Sequence, residues 1–174
     1  MSDWPKQADV LAGTSIYGNP RGRNGLASPT WEAANLTYVK APFAMFFAGQ
    51  RLTRGCKVHK ACAVSLGKVF QNLWEAAGKD QEEIDYWGVS IYGGGHNFRV
   101  MRGGNSLSMH SYGCAIDLDP ARNGLYDQTP RFANFPSVLS AFRAEGWKWG
   151  GDWNGNGSSA DERKADGMHW QATR

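Results

Sequence analysis

The sequence predicts a single α+β domain: a small central antiparallel sheet flanked by helices. Three observations predict it. The 174 residues are 41% hydrophobic and 13% aromatic, which supplies one apolar core without disulfide staples. Helix-period and strand-period segments follow one another irregularly, without the strand–helix–strand rhythm of a parallel sheet. No internal repeat or low-complexity linker divides the chain, so residues 1–174 are read as one unit.

Residues 1–30, rich in Gly, Pro, Asn and Arg, read as an extended N-terminal arm ahead of a core at 31–174. Ser28-Pro29 is a cap followed by a first-turn proline, opening a short helix through Trp31, Ala34 and Asn35. Thr37 to Val39 reads as a strand closed by Pro42. The clearest helix runs from about Val58 to Ala77. Val58, Cys62, Leu66, Val69, Phe70, Leu73 and Ala77 recur at three- and four-residue spacing, and Gly78 ends it. His59 lies off that stripe and reads as an exposed or capping histidine. Ile84 to Tyr92 is expected to be a strand, closed by Gly93-Gly94-Gly95, and residues 105–113 a polar loop. Cys114 to Leu118 reads as a buried strand, with Ala115 and Asp117 on one face and Cys114, Ile116 and Leu118 on the other. A helix at Ser137 to Glu145, a strand at Trp147 to Trp149, a polar loop at Gly150 to Ala165 and a strand at Met168 to Gln171 complete the order.

Charge and cysteine usage narrow the function classes. The net charge is +3 and the pI about 8.8. The densest cationic cluster, Arg51, Arg54, Lys57 and Lys60, is too sparse for a nucleic-acid surface and reads as a solvated face, with at most a loose attraction to an anionic polymer. Cys56, Cys62 and Cys114 form no disulfide framework and are expected as buried thiols. The opening Met-Ser-Asp-Trp-Pro-Lys-Gln lacks the pattern of a signal peptide, and the apolar run from Ala41 to Gly49 is too short to span a bilayer. Synthesis in the cytoplasm, no membrane span and a monomeric state are therefore expected.

Two segments carry chemistry: Ser108-Met109-His110-Ser111-Tyr112-Gly113-Cys114-Ala115-Ile116-Asp117 and Asp166-Gly167-Met168-His169-Trp170. His110 and His169 offer imidazoles and Asp117 a carboxylate. Gly113 permits a tight turn between the first two, and Ala115 leaves room beside Asp117. Two imidazoles and one carboxylate suit Zn²⁺, one per chain, and a three-residue ligand set leaves a fourth position open for catalysis. Asp166, three residues before His169, is the candidate general base. Singly, each residue has an ordinary alternative: a loop histidine, a carboxylate paired with an Arg, a turn cap, a satisfied half-buried histidine. Together they form a constellation that those alternatives leave unexplained.

The string Ser-x-His-x-x-Gly-x-Ala-x-Asp at 108–117 resembles the zinc signature of the D-alanyl-D-alanine carboxypeptidase and L-alanyl-D-glutamate peptidase family. That group includes VanX-like dipeptidases, VanY-like carboxypeptidases and phage endolysins. Asp166-x-x-His169 followed by Trp170 resembles the family's second element. The resemblance covers about residues 88–171. It implies a small α+β domain with the metal on a central antiparallel sheet, zinc held by His110, Asp117 and His169, and Asp166 as general base. It also implies an Arg upstream of the signature that meets a substrate carboxylate or a polarised carbonyl. Arg99 is the first candidate and Arg102 the second, with Ser108 a further substrate contact. The implied substrate is the stem peptide of peptidoglycan, cut either between L-Ala and D-Glu or at a terminal D-Ala. The absence of a leader favours an endolysin that a holin releases to the wall. The rivals are a metal-containing wall-binding or virion protein without turnover, and a zinc hydrolase of free dipeptides or amides.

His96 lies outside both motifs and reads as a neighbour of the site or as unrelated to it. Gly93-Gly94-Gly95 is no phosphate loop, since no Gly-Lys-Ser/Thr follows. Asp152, Asn154 and Asn156 alternate oxygens in the manner of a calcium loop but lack a Glu in its twelfth place. That stretch reads as a flexible loop bordering the cleft.

Overall fold

Asp117 and His169 stand opposite each other on neighbouring strands, and the fold is best followed outward from that pair. A computed structural model describes residues 3–101 and 103–174. Its helices are α1 (Gln7–Leu11), α2 (Pro29–Asn35), α3 (Lys60–Ala76), α4 (Gln81–Trp87) and α5 (Pro136–Ala144). Its strands are β1 (Leu36–Val39), β2 (Phe46–Phe47), β3 (Gln50–Arg51), β4 (Cys56–His59), β5 (Tyr92–Gly94), β6 (Ala115–Leu118), β7 (Lys148–Trp149) and β8 (His169–Gln171). The architecture is α+β: a four-stranded antiparallel sheet in the order β5-β6-β8-β7, and two antiparallel pairs, β1-β4 and β2-β3.

Register divides the four-stranded sheet into two chemically different faces. Ile116 pairs with Trp170, while Ala115 pairs with Gln171 and Asp117 with His169. Residues directly opposite share a face, and faces alternate along each strand. Ile116, Leu118 and Trp170 are therefore core residues, all fully buried. The Trp170 ring stacks on Phe142 of α5 at 3.9 Å between centroids and on Trp149 at 5.6 Å. Helix α3 buries Cys62, Ser65, Leu66, Val69, Phe70 and Leu73 and packs against α5. The Trp147 indole N–H donates to Ser65 Oγ (3.0 Å), which satisfies a hydroxyl inside that interface. The opposite face keeps its polar side chains for the site.

Three expectations are corrected, and the reading of His59 is narrowed. Val58 belongs to β4, not to the helix: Cys56–His59 pairs with Leu36–Val39, and the helical spacing runs on across the junction because Val58 and Cys62 are four apart. Of the two readings of His59, exposed or capping, the capping one holds: its Nδ1 accepts from Ala61 N (3.0 Å) at the start of α3, where the residue is buried. Ile84 to Tyr92 is not one strand. Asp80 caps a helix at Glu82 N (2.9 Å), Glu82 and Glu83 occupy the favourable first turn, and Gly88 stops it at φ 90°. The polar loop at 105–113 holds a 3-10 turn, Met109–Tyr112, whose four residues are all buried.

The N-terminal stretch is not simply an extended arm either. It carries α1 and buries Trp4, Val10 and Tyr17 in the core. Gln7 N donates to Arg174 O, Arg174 N to Pro5 O (both 3.1 Å), and the Tyr17 hydroxyl to Ala172 O (2.7 Å). Residues 5–7 thus lie alongside residue 174, just beyond β8. The three cysteines are free and buried, as expected. Among the described residues no helix is long and apolar enough to cross a membrane.

Candidate metal centre

The turn that presents His110 is fixed at both ends. Ser108 caps it, its Oγ accepting from His110 N (3.4 Å). Gly113 closes it at φ 68°, donating to His110 O (3.0 Å). A Cβ on Gly113 would lie 2.8 Å from His59 N and 2.7 Å from Leu36 Cδ2, so both conformation and space require glycine. Asp117 and His169 need no such device. Their cross-strand register puts both side chains on one face.

These three side chains meet in a triangle. His110 Nε2 lies 3.2 Å from Asp117 Oδ1, His169 Nδ1 lies 3.2 Å from the same oxygen, and the two nitrogens are 3.1 Å apart. Four-coordinate Zn²⁺ with arms of about 2.0–2.1 Å would separate its ligand atoms by about 3.3 Å. The triangle is therefore the size that a tetrahedral zinc site needs. The outward ring nitrogens are already committed. His110 Nδ1 donates to Gly95 O (2.8 Å) and His169 Nε2 to Gln171 Oε1 (3.0 Å), which leaves His110 Nε2 and His169 Nδ1 as the inward ligand atoms. Both imidazoles are buried. These residues could hold a metal ion, and they form the one such group among the described residues.

The electrostatics match that geometry. Burial pushes the Asp117 carboxyl up, but hydrogen bonds from His110 and His169 and the charges of both rings outweigh it, so it titrates well below the usual range. Burial lowers His169, yet the hydrogen bond and charge of Asp117 carry it above its ordinary value.

A cleft of about 460 Å³ opens onto the triangle, lined among others by Asp117, Asp166, His169, Arg99, Ser108 and Trp153. Asp166 is held by its own backbone: its N–H donates to Gly150 O (2.8 Å) and its carbonyl accepts from His169 N (2.9 Å). Burial chiefly, with help from the Asp117 charge, raises its carboxyl above the usual range, against the lowering charges of His169, His110 and Arg99. Its Oδ1 is buried without a partner among the described residues.

Arg99 sits on the cleft wall with its backbone clamped by buried Ser111, whose Oγ accepts from Arg99 N (2.9 Å) and donates to Arg99 O (2.8 Å). Ser108 reaches the cleft while capping the histidine turn. Arg102 lies outside the described residues. His96 is not in the triangle. Its side chain is buried, with Nε2 4.0 Å from Glu32 Oε1, and burial lowers its pKa.

Residues 102–172 match the family model of D-alanyl-D-alanine carboxypeptidase. The carboxypeptidase match takes in His110, Asp117, Asp166 and His169 together with β6, β7 and β8. Arg99, β5 and the N-terminal segment fall outside it. No curated protein and no solved structure matches the chain.

Reading from residues alone missed Gln171, Gln7 and the Gly95 carbonyl. Gln171 carried a signal, since it follows His169 by two on a strand and so shares its face. Gln7 and Gly95 carried none, because only the folded chain brings them to the histidines. The loop after Gly150 does border the cleft, through Trp153 and Lys164.

Proposed function

We propose that this chain is a zinc peptidase that hydrolyses peptidoglycan stem peptides, and that it acts as an endolysin cleaving L-alanyl-D-glutamate. One observation carries the reading: three candidate ligand atoms lie at zinc-compatible separations, and Asp117 and His169 line a cleft with Asp166, a separate carboxylate with one oxygen unpartnered among the described residues. The carboxypeptidase match over the same residues supports it.

His110, Asp117 and His169 would hold one Zn²⁺, which supplies a Lewis acid that polarises a carbonyl and acidifies water. Asp166 takes the proton as the water oxygen bonds to the carbonyl carbon. It then returns that proton to the amine as the C–N bond breaks. Its raised pKa brings it nearer to neutral pH, where a carboxylate base can also act as an acid. Arg99 pairs with a substrate carboxylate or with the developing oxyanion, and Ser108 and Arg102 are further substrate contacts. Every group named comes from one chain, so a monomer suffices. Holin-dependent release would bring the protein to the wall.

The second reading, removal of terminal D-Ala, is favoured by the description of the matched family. A metal-containing wall or virion protein without turnover would have no use for Asp166. The deciding experiment measures zinc content and digests purified sacculi with the same preparation, with mass spectrometry of the products. About one zinc per chain and new N-terminal D-Glu are expected. Released D-Ala would move the assignment to the carboxypeptidase, and zinc without cleavage would overturn catalysis.

A further inference from the structure

His169 does not stand alone on its strand. Its Nε2 faces Gln171 Oε1 at 3.0 Å, and the Gln171 amide nitrogen meets Gln7 Oε1 at 3.0 Å and Thr173 Oγ1. Gln171 and Thr173 are almost fully buried, at 2% and 1% exposure. A glutamine amide has two donors on nitrogen and acceptor capacity only on oxygen. In this arrangement the two donors engage Gln7 Oε1 and Thr173 Oγ1, and the oxygen faces His169. It then demands a proton on His169 Nε2, and Nδ1 becomes the ligand atom. Rotating the amide by half a turn would put an N–H against Nε2, drive the proton to Nδ1 and block that ligand position.

The far end of the chain of bonds is the N-terminal segment. Gln7 opens α1, lies at the cleft edge, and is fixed by Gln7 N to Arg174 O and Arg174 N to Pro5 O. Residues 164 apart in sequence thus meet through one amide pair.

We propose that Gln171, oriented by Gln7, is a positioning residue that sets His169 as an Nδ1 ligand. The N-terminal segment is then a working part of the metal centre. This rests on the zinc reading above. A neutral amide fixes the ring while adding no charge, and outer partners of metal-bound imidazoles commonly account for about 10–100-fold in metal affinity.

The test uses the full chain as wild type, Gln171→Leu, Gln171→Glu and Gln7→Ala. Zinc affinity is measured by competition with a chromogenic chelator. The His169 tautomer is read from nitrogen-15 spectra of the zinc-loaded proteins. Gln171→Leu is expected to weaken zinc by roughly 10–100-fold and to give mixed tautomers, whereas Gln171→Glu, which keeps an acceptor, retains the affinity. Gln7→Ala is expected to show a loss of about threefold to tenfold. If Gln171→Leu does not fold, Gln7→Ala carries the test. Wild-type affinity and an unchanged tautomer in the folded variants would overturn the relay while leaving the zinc site intact. A wild-type protein that takes up no zinc, with His169→Ala indistinguishable from it, would overturn the zinc reading and the relay with it.

Discussion

Asp166 is half-buried and His59 buried, and burial moves their pKa values in opposite directions because it disfavours an anion in one and a cation in the other. Asp166 is shifted up because burial penalises its anion, and one of its oxygens has no partner among the described residues. Such a carboxylate is poised to take a proton rather than to hold a fold together. Asp166→Asn is nearly isosteric and cannot accept that proton. It should keep about one zinc per chain and lower kcat by roughly 10²–10⁴. Metal analysis and turnover on muropeptides check this, and near-normal turnover would remove Asp166 as the base. His59 is shifted down, to about 4 from 6.5, by burial and then by the neighbouring Lys60 charge. Between those values the unfolded chain binds the proton and the folded one does not, so stability rises with pH across that window. The contribution is full above pH 6.5 and is lost as pH falls toward 4, by roughly 3 kcal/mol in all. His59→Asn keeps a capping acceptor but does not titrate. Denaturant melts from pH 4 to 7 should show a flatter pH profile than wild type, and parallel profiles would refute the assignment.

Short elements are where sequence and structure part, for a physical reason. Helix α3 was legible because six buried residues repeat on one face over four turns. Strands of two to four residues leave no comparable period. The β2–β3 hairpin went unread, β4 was absorbed into the following helix, and α4 was taken for strand although its Asp80 cap and Gly88 stop were present. The candidate ligands were legible for the opposite reason: they are picked out by residue type at fixed spacing, and the register of β6 against β8 brings Asp117 and His169 together. Gly113 ties the turn to that sheet, since its carbonyl accepts from His59 N (2.8 Å) while its nitrogen closes the His110 turn. A Cβ there would strain a φ of 68° and crowd His59 N at 2.8 Å. Gly113→Ala should therefore lower stability by about 1–3 kcal/mol and displace His110 enough to weaken zinc. Calorimetry and chelator competition check both effects, and a variant with wild-type melting and zinc affinity would show that the turn tolerates a side chain.

At the scale of the whole molecule, the matched family segment does not contain every residue that contacts the candidate site. Residues 102–172 bring the candidate ligands and three of the four sheet strands, but Gly95, whose carbonyl meets His110, and Gln7, which meets Gln171, come from outside it. So does much of the core, including α3. The N-terminal stretch illustrates why composition misled. Its glycines and prolines mark turns, but Trp4, Val10 and Tyr17 are spaced too irregularly to announce a packed face, and all three are buried against the body. The Trp4 indole donates to Glu145 O (2.9 Å) and the Tyr17 hydroxyl to Ala172 O (2.7 Å), so neither polar tip is wasted on burial. Burying three such side chains is worth about 5–9 kcal/mol at 1.5–3 each. That is comparable to the whole stability of a domain, about 5–15 kcal/mol. An extended arm would be dispensable, whereas a packed one is not. Deleting residues 1–17 should abolish cooperative thermal unfolding by far-ultraviolet circular dichroism, since the loss removes both the apolar contacts and the bonds that align the chain after β8. A truncated protein that melts cooperatively near the wild-type midpoint would show that the segment merely rests on the domain.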